Sequence, residues 1–162
     1  MRNTVALRRK DRELNSILAM RILENAEVGY LSLACENQPY TIPVNYVLWD
    51  GRIYIHTAKE GKKITWLQKN PQICFTVSTM IDVKKADTYC GYGAYFESVV
   101  VEGHGRVLQQ HPHKREILTA LVKKYDPQAQ LPPIDEEGEN SVWLIEVTLD
   151  SLCGKGRYPV QS

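Results

Sequence analysis

The chain has 162 residues, enough for one hydrophobic core but short for two, so we expect a single domain over residues 1–162. Its 20 Lys and Arg nearly balance its 19 Asp and Glu, which leaves no broad positive field for a nucleic-acid backbone. The N-terminus has no apolar signal-peptide core and the longest apolar runs are strand-sized, so we expect a cytoplasmic protein without a membrane partner.

The first part of the chain predicts one amphipathic helix followed by three antiparallel strands. Apolar residues recur at helical spacing over residues 11–25, with charged residues between them. The strands are predicted over residues 28–35, 39–49 and 52–58. A tight turn at residues 36–38 joins the first two strands. Asp50-Gly51 closes the next hairpin, because this pair adopts the positive φ angles of a two-residue turn.

The middle of the chain predicts a short helix, a buried strand and a long loop. The helix covers residues 60–69, and Asn70-Pro71 ends it because the residue before proline disfavours helical angles. Residues 73–79 read as a strand that is buried on both faces. Residues 81–93 lack periodicity and predict a loop long enough to act as a lid.

The last part of the chain predicts a long strand, a second amphipathic helix and a closing strand. The long strand covers residues 95–108 and contains Gly103 and Gly105, where missing side chains permit a bend or a close backbone approach. A helix follows from Pro112 to Tyr125, then a proline-containing connection over 126–139. The closing strand covers residues 141–153. Six strands and three helices predict a mainly β, α+β fold: a six-stranded antiparallel split barrel with capping helices.

The four cysteines are far apart, and none belongs to a C-x-x-C pair, which excludes a zinc ribbon and a dithiol redox motif. Cys90 lies in a polar stretch and is the candidate for an exposed thiol, whereas the other three stand in apolar surroundings. No spacing of His, Asp and Glu indicates a metal site, and no Ser, His and Asp arrangement indicates hydrolysis.

The segment over residues 54–64 collects groups that bind an anion where a strand leads into a helix. Unpaired N–H groups at a helix start carry partial positive charge, and Thr57 adds a hydroxyl. Gly61 permits a tight turn, while Lys62 and Lys63 bring two ammonium groups. A phosphate monoester fits such a site. Lysines on a short helix often only solvate its surface, so the segment alone leaves both interpretations open.

The same segment resembles the FMN-binding signature of the pyridoxamine-phosphate-oxidase-like split barrels. The residues that carry the likeness are His56-Thr57-Ala58, Glu60-Gly61-Lys62-Lys63-Ile64 and Asn70-Pro71, with residues 38–46 upstream and residues 95–103 downstream. Nitroimidazole-resistance-type members also share the patterns seen here at residues 8–12, Arg-Arg-Lys-Asp-Arg, and at residues 152–155, Leu-Cys-Gly-Lys. The resemblance covers nearly the whole chain. At position 62 many of those sequences have His where this chain has Lys.

The resemblance implies a homodimer with two FMN molecules at its interface, each touched by both subunits. The residues implied to bind the cofactor are Lys62 and Lys63 at the phosphate with Thr57 and Ala58, Val44 and Asn45 through backbone groups at the ring, His56, and Ser98 on the long strand. Apart from the resemblance, Trp143 on the closing strand is the tryptophan best placed to lie over a cofactor, although tryptophans more often pack in a core or an interface.

The resemblance also implies an activity and a catalytic residue. His56 would position a substrate or supply a proton, although a histidine hydrogen-bonded into the barrel wall explains it equally well. The implied function is an FMN-dependent oxidoreductase that reduces a nitroaromatic or quinone-like small molecule with electrons from NAD(P)H. The alternatives are a flavin-binding protein without turnover and a split barrel that binds haem or a deazaflavin.

Overall fold

The computed structural model describes residues 7–159 of the chain. The strands are β1 (Glu13–Leu14), β2 (Gly29–Cys35), β3 (Gln38–Val44), β4 (Val47–Trp49), β5 (Arg52–Thr57), β6 (Gln72–Lys84), β7 (Gly93–Leu108), β8 (Trp143–Val147) and β9 (Ser151–Arg157). The helices are α1 (Ser16–Asn25), α2 (Lys62–Lys69), α3 (Lys114–Tyr125) and α4 (Glu136–Ser141), with 3₁₀ turns at Lys10–Arg12 and Tyr89–Gly91. The predicted class, an α+β split barrel built on antiparallel strands, is confirmed.

The sheet has two halves that share the long strand β7. On one edge β7 pairs with β6, which continues the sheet through β2 to β3. On its other edge β7 pairs first with β9 and then with β8, and β8 leads on to β5 and β4. The short β1 pairs with β9, so Leu14 lies opposite Gly154. The two terminal motifs at residues 8–12 and 152–155 are therefore neighbours in space.

Two predicted strands are each divided, which changes the strand count from six to nine within residues 7–159. The strand predicted over 39–49 breaks at Asn45 and Tyr46, where the chain passes from one half of the sheet to the other. The closing strand breaks between β8 and β9, where the N–H groups of Thr148 and Asp150 donate to carbonyls of β7 outside the regular ladder. The third addition is β1, which is two residues long and too short for a periodicity.

The core is formed by two clusters on opposite faces of β5 and β8. The larger cluster fills the barrel beneath α1 and includes the fully buried Leu23, Phe75 and Ile145. The smaller cluster lies between β5, β8 and α3, where Tyr54 and Ile117 pack together with Leu144. Because side chains alternate along a strand, consecutive residues of β5 face different clusters.

Helix α1 starts later than its periodicity predicts. Its first residue is Ser16 rather than residue 11, because the Asn15 side chain accepts a hydrogen bond from the Leu18 N–H at 2.9 Å and caps the helix. Helix α3 likewise starts at Lys114 and not at Pro112. The apolar spacing identified both helices, but the local capping geometry sets their first residues.

Strand β6 and the segment that follows it differ from the prediction in two ways. Strand β6 is not buried on both faces, since Ile73, Phe75 and Val77 point into the barrel while the residues between them are partly exposed. The predicted loop over 81–93 is also shorter, because β6 continues to Lys84 and β7 begins at Gly93. The extended strands pair across a bulge between Met80 and Asp82 and form a hairpin, which leaves residues 85–92 as its loop.

Both predicted tight turns and the close approach at Gly103 are confirmed. Asp50 and Gly51 have φ angles of 46° and 68°, as a two-residue hairpin turn requires. A Cβ atom on Gly103 would lie 1.9 Å from the Thr148 carbonyl oxygen, so only glycine lets β7 pass the link between β8 and β9. No helix within residues 7–159 is long and apolar enough to cross a membrane.

Candidate functional site

The residues expected to bind a cofactor, except Ser98, lie at one end of the sheet, where β5 ends. In the ladder between β5 and β8, Thr57 pairs with Trp143 and His56 pairs with Leu144. Val47 of β4 pairs with Tyr54 of β5, which places the preceding Asn45 and Val44 toward the same end. Helix α2 begins shortly after Ala58 and returns over this end. We call this region the β5 end.

Thr57 and His56 point to opposite faces of the sheet. Thr57 is 2% exposed and, like its partner Trp143, faces the side of the larger core cluster. His56 faces the opposite side, toward α3, and remains accessible to solvent. The strand thus presents a hydroxyl to one compartment and an imidazole to another.

The Thr57 hydroxyl is buried without a hydrogen-bond partner among the described residues. Such a group costs free energy, on the order of 1–3 kcal/mol, unless something binds it. It stands beside the start of α2, whose N-cap is Gly61 and therefore supplies no side-chain cap for the first N–H groups. Gly61 has a φ of 123°, and a side chain added there would meet nothing within 4 Å. Open space therefore adjoins an uncapped, positively polarised helix start.

The two lysines of the first turn of α2 have different effects on their surroundings. The Lys62 ammonium lies 4.5 Å from the centroid of the Tyr40 ring and 4.4 Å from that of the Trp66 ring. These distances are those of cation–π contacts. Lys63 influences His56, since burial and then the Lys63 charge lower the pKa of His56 from its ordinary value. At neutral pH the His56 ring is therefore uncharged.

A cavity of about 570 Å³ opens on the His56 side of the β5 end. Helix α3 forms one wall, and the connection before β8 forms the other. Its lining includes His56, Leu118, Val122, Lys123, Leu131 and Ile134. The volume and the apolar lining with a single imidazole are typical of a small-molecule site.

Trp143 lines a separate, smaller cavity of about 250 Å³, together with Leu67 and Gly105. Its ring is partly buried and packs against the larger core cluster. Trp143 therefore lies on the same face of the sheet as Thr57, beside α2. The two cavities are separated by the sheet.

Ser98 lies in the part of β7 that pairs with β6 and β9, whereas the part next to the β5 end pairs with β8. It pairs with Ser78 and Lys155 in the half of β7 that faces β6 and β9, and its hydroxyl donates to the Lys155 carbonyl at 3.3 Å. Leu108, at the other end of β7, pairs with Leu144 next to the β5 end. The path along β7 from Ser98 to Leu108 is roughly 33 Å. The register therefore places Ser98 and Leu108 in different halves of the sheet.

The donor set at the β5 end fits the phosphate of a mononucleotide. A phosphate oxygen accepts hydrogen bonds from a hydroxyl and from free N–H groups, and it is stabilised by lysine ammonium groups. Thr57, the start of α2 and Lys63 supply these three kinds of group.

Two parts of this region escaped the sequence interpretation. The aromatic partners of Lys62 are one, since Tyr40 and Trp66 come from different elements. The other part is the wall of the larger cavity over residues 129–134, which the sequence predicts only as part of a connection. Its signal was present in the sequence, because Leu131 and Ile134 flank two prolines in a segment with no helical or strand period.

Residues 18–155 match the family model described as pyridoxamine 5'-phosphate oxidase. The chain belongs to the pyridoxamine 5'-phosphate oxidase family. This membership confirms the resemblance carried by residues 56–64. The matched range includes every expected cofactor-binding residue.

Several solved structures share the fold of this chain. The flavocytochrome Anf3 from Azotobacter vinelandii superposes with a TM-score of 0.84 at 18% identity, over 98% of this chain and 75% of that one. An FAD and haem binding protein from Mycobacterium smegmatis gives 0.82 at 15% identity, over 93% and 77%. A putative 5-nitroimidazole antibiotic resistance protein from Bacteroides thetaiotaomicron gives 0.75 at 24% identity, over 88% and 85%. This chain therefore has the same architecture as these proteins.

Proposed function

We propose that this protein binds FMN with its phosphate at the β5 end and transfers electrons from NAD(P)H through the flavin to a small organic acceptor. The observation that carries the proposal is the buried Thr57 hydroxyl, which has no hydrogen-bond partner within residues 7–159 and lies beside the uncapped start of α2. A phosphate there supplies the acceptor that the hydroxyl lacks.

The chain's own residues have separable tasks in this proposal. Thr57 and the first N–H groups of α2 donate to phosphate oxygens, and Lys63 neutralises their charge. Lys62 adds a second positive charge from its position on Tyr40 and Trp66. Val44, Asn45 and Ala58 offer backbone groups where β3 and β5 end. The flavin, when bound, supplies the chemistry of accepting a hydride and passing electrons to an acceptor.

His56 is the residue proposed to handle a proton. Its ring is uncharged at neutral pH and has no recorded hydrogen-bond partner within the described chain, so one nitrogen is free to accept a proton and the other to donate a hydrogen bond. Because His56 faces the larger cavity, an acceptor bound there would meet the imidazole directly.

The names of the fold relatives support a flavin in this protein. One relative is a flavocytochrome and another is named for FAD and haem. A third is named for resistance to 5-nitroimidazoles, which are nitro compounds. FMN, rather than a larger flavin, is proposed because the described donors suit one phosphate group.

The first experiment measures FMN affinity by fluorescence quenching of the free flavin. Replacing Lys62 and Lys63 together by alanine should weaken binding by about 2–4 kcal/mol, because charge-assisted contacts contribute about 1.5–3 kcal/mol each with some overlap. Lys69→Ala is the matched control, since Lys69 lies in the last turn of the same helix and pairs with Glu36. Equal FMN affinity in the double variant and the wild type would contradict the assigned phosphate site.

The second experiment tests turnover. The FMN-loaded protein should lose its visible flavin absorbance when NADPH or NADH is added without air, and regain it when a nitroaromatic or quinone acceptor follows. Stable absorbance with both nicotinamides would leave a flavin-binding protein without this activity. A protein that binds no flavin would overturn the proposal altogether.

A further inference from the structure

The larger cavity is lined by apolar side chains that the core does not use. Val122, Leu131, Ile134 and Val142 line it, and none of them belongs to either core cluster. Leu131 is 69% exposed. Leaving apolar surface open to water around a concave site costs free energy, and a bound apolar molecule removes that cost.

The wall that carries Leu131 and Ile134 is held by its own local structure. Pro132 and Pro133 fix the backbone between these two residues, since each proline ring locks its φ angle. Asp135 then caps α4 by accepting from the Gly138 N–H at 2.8 Å. Arg115 on α3 donates to Glu139 of α4 at 2.6 Å and ties the two walls together. The cavity is therefore a formed feature of the fold.

The polar groups of the cavity favour an acidic ligand over a basic one. Its titratable lining residues are His56 and Lys123, and no Asp or Glu is among them. Lys63 adds positive potential, as its effect on the pKa of His56 shows. A carboxylate placed between the imidazole and these ammonium groups would be stabilised, whereas an amine would be repelled.

We propose that this cavity binds a flat, apolar molecule that carries an acidic group, with its apolar body against Val122, Leu131 and Ile134 and its acidic edge toward His56 and Lys123. The cavity and the Thr57 hydroxyl of the proposed phosphate site lie on opposite faces of β5, and the Lys63 charge influences both. Binding to it does not require that the protein hold FMN.

Two kinds of molecule have this chemistry, and they differ at His56. A metal-free aromatic acid accepts a hydrogen bond from the imidazole. A metalloporphyrin with acidic side groups instead offers a metal to the free imidazole nitrogen. The experiment therefore has one arm for each source.

The first arm uses calorimetric titration of the purified protein with 2-naphthoate and with its neutral counterpart, 2-naphthalenemethanol. The acid should bind at least tenfold more tightly. Its affinity should rise from pH 8 to pH 6, because a nearby carboxylate raises the pKa of His56 and binding then takes up a proton. The second arm adds haemin and records its absorption spectrum. A shift of the main absorption band that occurs in the wild type and not in His56→Ala would show that the ligand is a metalloporphyrin.

Substitutions at the exposed cavity wall separate this site from the phosphate site. Leu131→Glu should weaken binding of the acid at least tenfold by like-charge repulsion, whereas Leu131→Gln should change it much less. Val122→Trp should fill the cavity and block both probes, while Ile17→Trp, at an exposed apolar residue of α1 outside the cavity lining, should not. FMN affinity should stay unchanged in all four variants, so a failure of either site is recognised separately. Equal binding of acid and alcohol, or binding of neither 2-naphthoate nor haemin, would overturn the proposal.

Discussion

At the scale of single residues, the neighbours His56 and Thr57 show how one strand serves two compartments. Alternation along β5 sends the hydroxyl to the barrel side and the imidazole to the α3 side. The two lysines at the start of α2 also differ, since Lys62 lies over the Tyr40 and Trp66 rings while the Lys63 charge lowers the pKa of His56. Each lysine can therefore be tested for its own effect.

Lys63 should lower the pKa of His56, and Lys62 should not. Lys63→Gln is expected to raise the His56 pKa toward its ordinary value of about 6.5, although burial, the larger cause, still holds it down. The matched control, Lys62→Gln, should leave the pKa where it is. The measurement is a proton NMR titration of the imidazole ring. If the two variants changed the pKa of His56 equally, the specific effect of Lys63 would be contradicted.

The lowered His56 pKa has a stability consequence whose sign follows from proton linkage. The unfolded chain protonates its imidazole at a higher pH than the folded chain, so the folded state gains protons later on acidification. The stability that His56 contributes is present above about pH 6.5 and is lost as the pH falls through its lowered folded pKa. Between pH 7.5 and pH 5, the free energy of unfolding measured by urea denaturation should fall less in His56→Gln than in the wild type.

A second residue, Lys124, is buried in an unusual way. Its ammonium nitrogen has no hydrogen-bond partner among the described residues and lies 3.5 Å from the centroid of the Tyr46 ring. Burial lowers the pKa of Lys124 to about 8, opposed by the carboxylate of Glu24. The unfolded chain thus binds this proton more strongly between pH 8 and 10.5, and stability should rise with pH in that window.

We expect the free energy of unfolding to increase by roughly 1–2 kcal/mol between pH 7 and 9.5 because of Lys124. Lys124→Met, which keeps the apolar stem and removes the charge, should abolish this increase. Lys123→Met is the matched control, since its neighbouring side chain is exposed. The measurement is urea denaturation at both pH values, and an unchanged pH dependence in Lys124→Met would show that this ammonium group is not the cause.

At the scale of elements, the link between β5 and α2 forms the proposed phosphate site. Gly61 starts the helix with φ 123° and ψ 168°, a region that side-chain-bearing residues rarely adopt. The residue therefore contributes its backbone freedom, since a Cβ there meets no neighbour. The geometry that leaves the first N–H groups of α2 free depends on it.

Gly61→Ala should destabilise the protein by about 2–3 kcal/mol and weaken FMN binding, because the link must change its course. Gly51→Ala is the matched control: its φ is 68°, its added Cβ also meets nothing, and it lies in the hairpin turn before β5. In Gly51→Ala the free energy of unfolding should fall by about 1 kcal/mol, and the FMN affinity should stay unaltered. Thermal unfolding and flavin titration check both variants. A Gly61→Ala protein with wild-type stability and FMN affinity would refute the role of this backbone angle.

At the scale of the whole molecule, the position of Ser98 bears on the proposed homodimer. In one chain, Ser98 and the β5 end belong to different halves of the sheet. Two copies could bring them together through the outer face of β2, β6 and β7, where Tyr30, Thr76 and Val100 form one row across the strands. Tyr30 is 42% and Val100 37% exposed, which is unusual apolar exposure for neighbouring strands of a sheet.

Val100→Asp should therefore produce a monomer that binds FMN more weakly, because a buried carboxylate at the interface is costly. Ile17→Asp, at an apolar residue of α1 that is 71% exposed, should leave the assembly and the flavin affinity intact. Sedimentation velocity and flavin titration measure both properties. A Val100→Asp protein that is still dimeric would exclude this face, and a monomer with full FMN affinity would exclude a shared site.

Much of this architecture is predictable from local signals in the sequence. The Asp50-Gly51 turn, the end of α2 at Asn70-Pro71 and the apolar faces of α1 and α3 are each set by neighbouring residues, and each is confirmed. The division of two strands into four was not predictable, because the breaks at residues 45–46 and 148–150 depend on distant strands. The extent of β6 was also missed, since a paired hairpin keeps even polar residues extended.

The family, the split-barrel class and the candidate segment over residues 56–64 could be predicted without the structure, because the motif is contiguous and its turn chemistry is local. The surroundings of these residues depend on the folded chain. Folding brings Lys62 onto two aromatic rings, lets the Lys63 charge influence His56, and buries the Thr57 hydroxyl without a partner among the described residues. The cavity beside His56 also depended on it, because its walls come from α3 and from residues 129–134, which meet only when the chain is folded.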